Sequence, residues 1–248
     1  MSHNLELKEG AIIISDAHYS HLRPELLRLI QQISSKQLKT PQLIFMGDIF
    51  DALFGGVDYT FQVNKEIIDL INTISKEIEV IYLEGNHDFN LAKLFPKAKV
   101  FSFKVQPVLC SYKDKTVALA HGDFDIGGKY KLYVRLIRNP LLLSILAIID
   151  KIGNHFIIKK LDIYLSKKDD CNKFVNFKEY IQKRSLEIYQ SDYFIEGHYH
   201  QNNLYKFDSF NYINLAAFAC NQRYFIVKSN KESELLEEKK LLKGDFNG

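Results

Sequence analysis

Five times along this chain a short aliphatic or β-branched run stops at a small polar cluster. The runs span residues 11–15, 42–48, 78–88, 115–123 and 192–200. Each is too short and too evenly apolar for an amphipathic helix, so each predicts a buried strand that ends in a loop. Between the first three runs, residues 24–37 and 60–77 carry apolar side chains at helical spacing, the former after Pro24 at a plausible first helical position. Strands alternating with helices predict βαβ units and a partly parallel sheet. Beyond residue 203, "NLYKF", "NYINLAA" and "RYFIVKS" alternate in the manner of antiparallel strands. The charged tail, 229–248, reads as a solvated helix or a frayed end. There is no repeat and no low-complexity linker, so residues 1–248 read as a single α/β domain.

One segment departs from this rhythm. Residues 128–180 begin basic and aromatic, turn almost wholly aliphatic, and become basic again, which predicts a helical insertion. Its longest apolar stretch, Leu141 to Ile149, is interrupted by Ser144 and has about half the roughly 20 residues that span a bilayer. A soluble protein that touches a membrane is expected. The N-terminus "MSHNLELKEG" is polar and the apolar run after it is short, so no secretory signal is expected.

Composition narrows the classes. Hydrophobic residues make up 46% and charged residues 25%, enough for a large core and against global disorder. A net charge of +3 is too small to argue for nucleic acid, so any basic surface is local. Cys110, Cys171 and Cys220 are far apart, odd in number and form no CxxC pair. That predicts a reducing compartment, no disulfide and no thiolate zinc site.

The loops at the five strand ends carry the chemistry. They read Asp16-Ala17-His18, Gly47-Asp48, Gly85-Asn86-His87-Asp88, His121-Gly122-Asp123 and Gly197-His198-Tyr199-His200. Five of the eight histidines lie in them, which random scatter would not produce. In an extended D-x-H or H-x-H segment, residues two apart project to the same side and grip one ion. Imidazole with carboxylate and amide oxygens suits manganese, zinc or iron. Asp16, His18, Asp48, Asn86, His121, His198 and His200 are too many ligands for one ion and enough for two. Taken singly, the bland reading of each loop is a turn aspartate or a surface histidine. All five in order, each after a strand, make that reading untenable.

This ordered set, "DAH … GDIFD … GNHD … HGD … GHYH", resembles the calcineurin-like metallophosphoesterase superfamily from about residue 11 to 225. The resemblance implies an α/β fold, a four-layer α/β/β/α sandwich, with two divalent ions at the strand ends. Manganese is the first expectation, with zinc or iron as alternatives. Asp16, His18, Asp48 and His200 would hold one ion, and Asp48, Asn86, His121 and His198 the other. His87 would face the substrate phosphate or protonate the leaving oxygen, and Asp88 would orient His87.

Within the superfamily, the "GDIFD" box, the short HGD and the insertion behind it resemble the branch that hydrolyses UDP-2,3-diacylglucosamine in lipid A synthesis. That implies a lipid-linked UDP-sugar as partner, a helical cap that receives acyl chains, and a cytoplasmic enzyme at the inner face of the membrane. Asp125, Tyr130, Tyr133, Arg135, Lys167, Lys168 and Lys173 would then contact substrate. Leu136, Ile137 and Leu141 would share an apolar face with Tyr133, while Lys129, Lys131 and Arg138 would join Arg135 in meeting anionic groups. Two departures stand out: His87 replaces the arginine usual in that branch, and "GHYHQN" lacks its Arg-Pro. A phosphoesterase of another substrate, and a non-catalytic scaffold with this fold, are the competing readings. Oligomeric state is open.

Overall fold

A computed structural model describes residues 5–125, 127–228 and 235–241. Among them lie two six-stranded sheets. The first runs, edge to edge, Leu5–Glu6, Val108–Tyr112, Lys115–Ala120, Tyr193–Glu196, Asn211–Asn214 and Asn203–Lys206. The second runs Leu236–Lys240, Arg223–Val227, Ile12–Ile14, Gln42–Phe45, Glu79–Leu83 and Lys99–Phe101. The three predicted N-terminal strands pair in parallel, as the intervening helices require.

Alternation along each strand divides the core. Ile13, Ile44 and Ile81 share a cluster with Val117, Leu119 and Ile195 of the other sheet, so the sheets face each other across it. Their chain neighbours Ile12, Phe45 and Tyr82 point the other way, onto helices Glu25–Ser34 and Lys65–Ile74. Ala118, Phe194 and Tyr212 point to the opposite outer side, where Phe177 and Ile181 cover them. Strands buried on both faces have no polar alternate, which is why the sequence shows them as continuous apolar runs.

The helix expected over 60–77 is two, Asp58–Val63 and Lys65–Ile74. Asn64 separates them, its Nδ2 donating to the carbonyls of Ala52 (3.3 Å) and Thr60 (2.8 Å). The insertion forms helices Gly128–Ile137, Pro140–Ile152 and Phe156–Ser166. Asn139 caps the second, accepting from the N–H groups of Leu141 and Leu142. Buried Asp150 caps the third, its Oδ1 accepting from Ile157 N (2.8 Å) and Ile158 N (3.1 Å). The second and third helices meet at 102°. The next helix, Phe177–Gln182, packs on the sheet, so the insertion gives way to core before residue 180.

Two expectations are corrected. Cys171 and Cys220 form a disulfide, with Cα atoms 5.7 Å apart across 49 positions of chain. The chain leaving the cap returns beside the turn after strand Asn211–Asn214, a proximity that sequence spacing cannot show; the cysteines therefore give no argument for a reducing compartment. The tail is neither helical nor frayed at Leu236–Lys240, which pairs antiparallel with Arg223–Val227. Ion pairs between Arg223 and Glu238 (3.2 Å) and between Lys239 and Glu237 (2.5 Å) sit on that ladder.

Candidate metal centre

The strand-end loops converge. Asp16, His18 and His200 place ligand atoms within 4.8 Å of one another, and so do Asp48, His121 and His198. The Asn86 Oδ1 lies 3.3 Å from His121 Nε2, and Asp48 Oδ2 lies 3.4 Å from the same nitrogen. The rings of His121 and His198 are 5.0 Å apart, those of His18 and His200 5.7 Å, and His87 lies 4.8 Å from His18. All seven expected ligands and His87 thus share one cluster.

The backbone reaches this geometry by a route other than the extended one. Asp16 (φ 49°), His18 (φ 44°), Asp48 (φ 50°), His198 (φ 62°) and His200 (φ 60°) are all left-handed. Each such residue costs on the order of 1–3 kcal/mol, a strain typical of functional sites. Two glycines make the crowding possible. A Cβ on Gly197 would overlap Ser15 Oγ and Asp16 Oδ2, and one on Gly85 would overlap the Asp48 carboxylate and amide.

The imidazoles are pre-set by what holds their other nitrogen. His121 Nδ1–H donates to the Met46 carbonyl (3.0 Å), His18 Nδ1–H to Asp51 Oδ1 (3.2 Å), and His200 Nδ1–H to the Asp170 carbonyl. Each Nε2 is then the lone-pair nitrogen, as metal-binding histidines require. His18 Nε2 is buried with no hydrogen-bond partner. A buried polar atom left this way suits a cation, and so does the N/O donor set; the residues fit two divalent ions.

Electrostatics agree. Burial opposes the Asp16 charge, but His200 and His121 bring its carboxyl down to about 2. Burial likewise opposes a charged His200, yet Asp16 lifts it to about 9. Burial and the neighbouring His121 push His198 down to about 3. A positive charge beside Asp16 is thus favoured, and a bound cation would supply it. Burial, with His18 adding to it, lowers His87 despite Asp48.

The supporting groups differ from expectation. Asp88 does not orient His87. Its carboxylate accepts from the N–H groups of Asp48 (3.0 Å), Ile49 (2.6 Å) and Gly85 (2.9 Å) and from Tyr82 Oη (2.7 Å), fixing the Asp48 loop. Burial, then Asp48, lifts it to about 7. The group on the His87 ring is the Asp51 carbonyl, 2.9 Å from Nδ1. Asp51, Arg23 and Asp170 carry the histidines, Arg23 Nη1 lying 2.6 Å from Asp170 Oδ2. Sequence reasoning assigned none of the three a role; the three-residue step from Asp48 to Asp51 in "GDIFD" was the available signal for one.

Of the expected substrate contacts, Asp125 is engaged by Arg184 in a two-pronged ion pair (2.8 and 2.9 Å). Arg184 also holds buried Glu196 and lies over the rings of Phe124, Tyr180 and Tyr199. Arg135, Lys167, Lys168 and Lys173 are exposed, and the Lys168 Nζ sits 3.5 Å from Asp170. The side chains of Lys129, Tyr130, Lys131 and Tyr133 lie outside the described residues. Leu136 and Leu141 point to solvent rather than inward. Arg138 turns inward instead of outward. Beneath the cap lies a cleft of about 350 Å³, lined by Phe54, Phe89, Ile137, Leu143, Ile158 and Leu165 among others, with Asn86 and His87 also in its wall.

Comparisons with known proteins bear on this arrangement. The chain is 26% identical to the UDP-2,3-diacylglucosamine hydrolase of Pseudomonas fluorescens SBW25, over 79% of this chain and 80% of that one. It is 31% identical to the enzyme of the same name from Pseudomonas putida W619, over 54% and 58%. Among solved structures, an archaeal phosphodiesterase is similar at TM-score 0.46 and 15% identity, covering 93% of this chain and 99% of that one. The model of the calcineurin-like phosphoesterase family matches residues 11–202. That match opens at the strand before Asp16 and closes just after His200, so the span that builds the cluster is the span the family shares: this chain belongs to the calcineurin-like phosphoesterases and is a metal-dependent phosphoester hydrolase.

Proposed function

We propose that the chain hydrolyses the pyrophosphate of UDP-2,3-diacylglucosamine to UMP and 2,3-diacylglucosamine 1-phosphate. One observation carries the reading. Asn86 and His87 are among the residues that line the apolar cleft under the cap, so a lipid chain lying in it would carry its phosphate close to the cluster. Relatives named for that activity support it.

Asp16, His18, Asp48 and His200 would hold one divalent ion, and Asp48, Asn86, His121 and His198 the other; manganese is our choice. Bound there, the ions would supply neutralising charge to the phosphoryl oxygens and lower the pKa of water. The chain's own residues do the rest. Asp88 holds the Asp48 backbone N–H and that of Gly85, and the His87 N–H donates to the Asp48 carboxylate at 2.8 Å, so the loop sets the carboxylate's direction. His87, its Nδ1–H given to Asp51, leaves Nε2 to exchange a proton with the leaving phosphate oxygen. Overall, a water oxygen joins phosphorus on the uridylyl side and the bridging oxygen leaves with the sugar phosphate. The apolar cleft wall excludes water from the bond's lipid side.

The cap also fits a membrane surface. Ile148, Ile152 and Phe156 are exposed, and Lys151, Lys159 and Lys160 stand among them. Among the described residues no single helix is long and apolar enough to cross a membrane; the bent pair Pro140–Ile152 and Phe156–Leu165 passes by length and composition only when taken together. The exposed apolar and basic face of the cap supports a peripheral enzyme on the cytoplasmic membrane. His87, standing where that branch has arginine, favours a second reading: a metallophosphoesterase acting on another nucleotide, phosphoprotein or phosphodiester.

The test is direct. Purified protein with manganese and UDP-2,3-diacylglucosamine should release UMP and the acylated sugar phosphate, and the Asp48→Ala protein should not. Equal turnover of the unacylated UDP-sugar would reject the lipid substrate and leave the second reading.

A further inference from the structure

Among the described residues, Arg138 joins the cap to the metal loops by hydrogen bonds. It closes helix Gly128–Ile137, and its side chain is only 10% exposed. Its Nη2 donates to the Gly85 carbonyl at 2.7 Å, immediately before the expected ligand Asn86. The same nitrogen lies 3.5 Å from Asp123 Oδ2, two residues after the expected ligand His121. Its guanidinium carbon sits 5.4 Å from the Phe89 ring and 4.7 Å from the Phe103 ring, so aromatic faces fix its plane. Its backbone carbonyl accepts from Asn90 Nδ2 at 3.2 Å, a second attachment to the same loop.

Asn86 and His121 belong to one of the two ligand groups only. His18 and His200 of the other group are positioned by Asp51 and Asp170, and no contact of Arg138 with either is found among the described residues. A cap residue thus supports one half of the cluster and not the other.

We infer that Arg138 is a positioning residue for the ion held by Asn86, His121 and His198, so that occupancy of that ion depends on the seating of the cap. The inference rests on the proposed two-ion reading. A guanidinium that holds the Gly85 carbonyl sets the rotation of the next peptide, and with it the direction of the Asn86 amide. Partners one step behind the ligands commonly change metal affinity 10- to 100-fold.

The experiment is a manganese titration of the metal-stripped full chain, followed by calorimetry and by the electron paramagnetic resonance of free manganese, with no substrate present. The parent should bind two equivalents. Arg138→Met should weaken one of them at least tenfold and leave the other within about twofold. Arg138→Lys keeps the charge and one donor for the Gly85 carbonyl, and should recover most of the loss. Phe103→Leu loosens the sandwich without removing the charge, so it should weaken the same equivalent by a smaller factor; it serves if Arg138→Met does not fold. Unchanged binding in Arg138→Met and Phe103→Leu would overturn the inference while the two-ion reading stands. Equal weakening of both equivalents would overturn it too, because Arg138 would then be supporting the fold at large. A parent that binds no manganese would instead refute the two-ion reading, and the inference with it.

Discussion

Replacing Arg184 by methionine should be among the costliest single changes outside the metal cluster. Its guanidinium is 6% exposed and faces Asp125 at 2.8 Å and Glu196, which is wholly buried. Tyr212 Oη donates to the same Glu196 carboxylate at 2.5 Å, but a hydroxyl carries no charge to balance it. Methionine fills most of the volume and leaves Glu196 as a buried anion without a cation. Breaking such a pair by removing one partner costs about 3–5 kcal/mol. For a chain of this size, each kcal/mol lowers the melting temperature by about 2–4 °C, so a fall of at least about 6 °C is expected. The pH dependence has a definite sign. Burial outweighs Arg184 in setting the Glu196 carboxyl above its ordinary value, and without Arg184 it rises further. The folded variant then binds a proton that the unfolded chain releases above about 4.5, so the penalty is complete above the folded pKa and shrinks as pH falls toward 4.5. Urea unfolding of parent and variant at several pH values between 5 and 8 measures both quantities. Arg184→Met/Glu196→Gln should recover much of the loss. A single variant within 1 kcal/mol of parent, or a double variant as unstable as the single, would refute the reasoning.

Other outcomes follow from the same contacts. The Cys171–Cys220 bridge closes a 49-residue separation, so reduction with dithiothreitol should cost about 2–4 kcal/mol; a Cys171→Ser protein should already show that loss and respond no further to reductant. Leu143 lines the cleft and is 6% exposed, so Leu143→Asp should raise KM for the acylated substrate more than tenfold, and an unchanged KM would remove the cleft from the binding path. Binding to vesicles rich in anionic lipid should fall steeply between 0.05 and about 0.5 M salt, because Lys151, Lys159 and Lys160 are surface charges; binding that ignores both salt and lipid charge would argue against the membrane face.

The strands and the ligand loops were legible because period and polarity encode them locally. Ile12 and Ile13 enter opposite cores, and a strand buried on both sides advertises itself as an unbroken apolar run. The left-handed turns at Asp16 and His198 were not legible, since nothing in D-x-H or H-x-H distinguishes them from extended chain. Contacts closed by the fold were invisible for the same reason. Asp125 meets Arg184 across 59 positions, and Cys171 meets Cys220 only because the chain leaving the cap returns beside the second cysteine. The basic run put Arg138 beside Arg135 in one insertion, but could not show that Arg138 faces a carbonyl and Arg135 water.

The cap is spliced between Asp125 and Arg184, whose side chains meet at 2.8 Å. A segment that leaves and re-enters at one point can change length cheaply: each doubling adds only about 0.6 kcal/mol to the entropy of closing it. The frame and the cap can therefore diverge at different speeds. The ligand loops tolerate little, since their glycines and left-handed residues fit only one backbone, whereas helices above them can lengthen, shorten or be exchanged wholesale. A lineage built this way acquires new substrates by trading roofs over an unchanged hearth, and a cap graft between relatives should carry its substrate preference with it, provided the joint at Gly85 is reproduced.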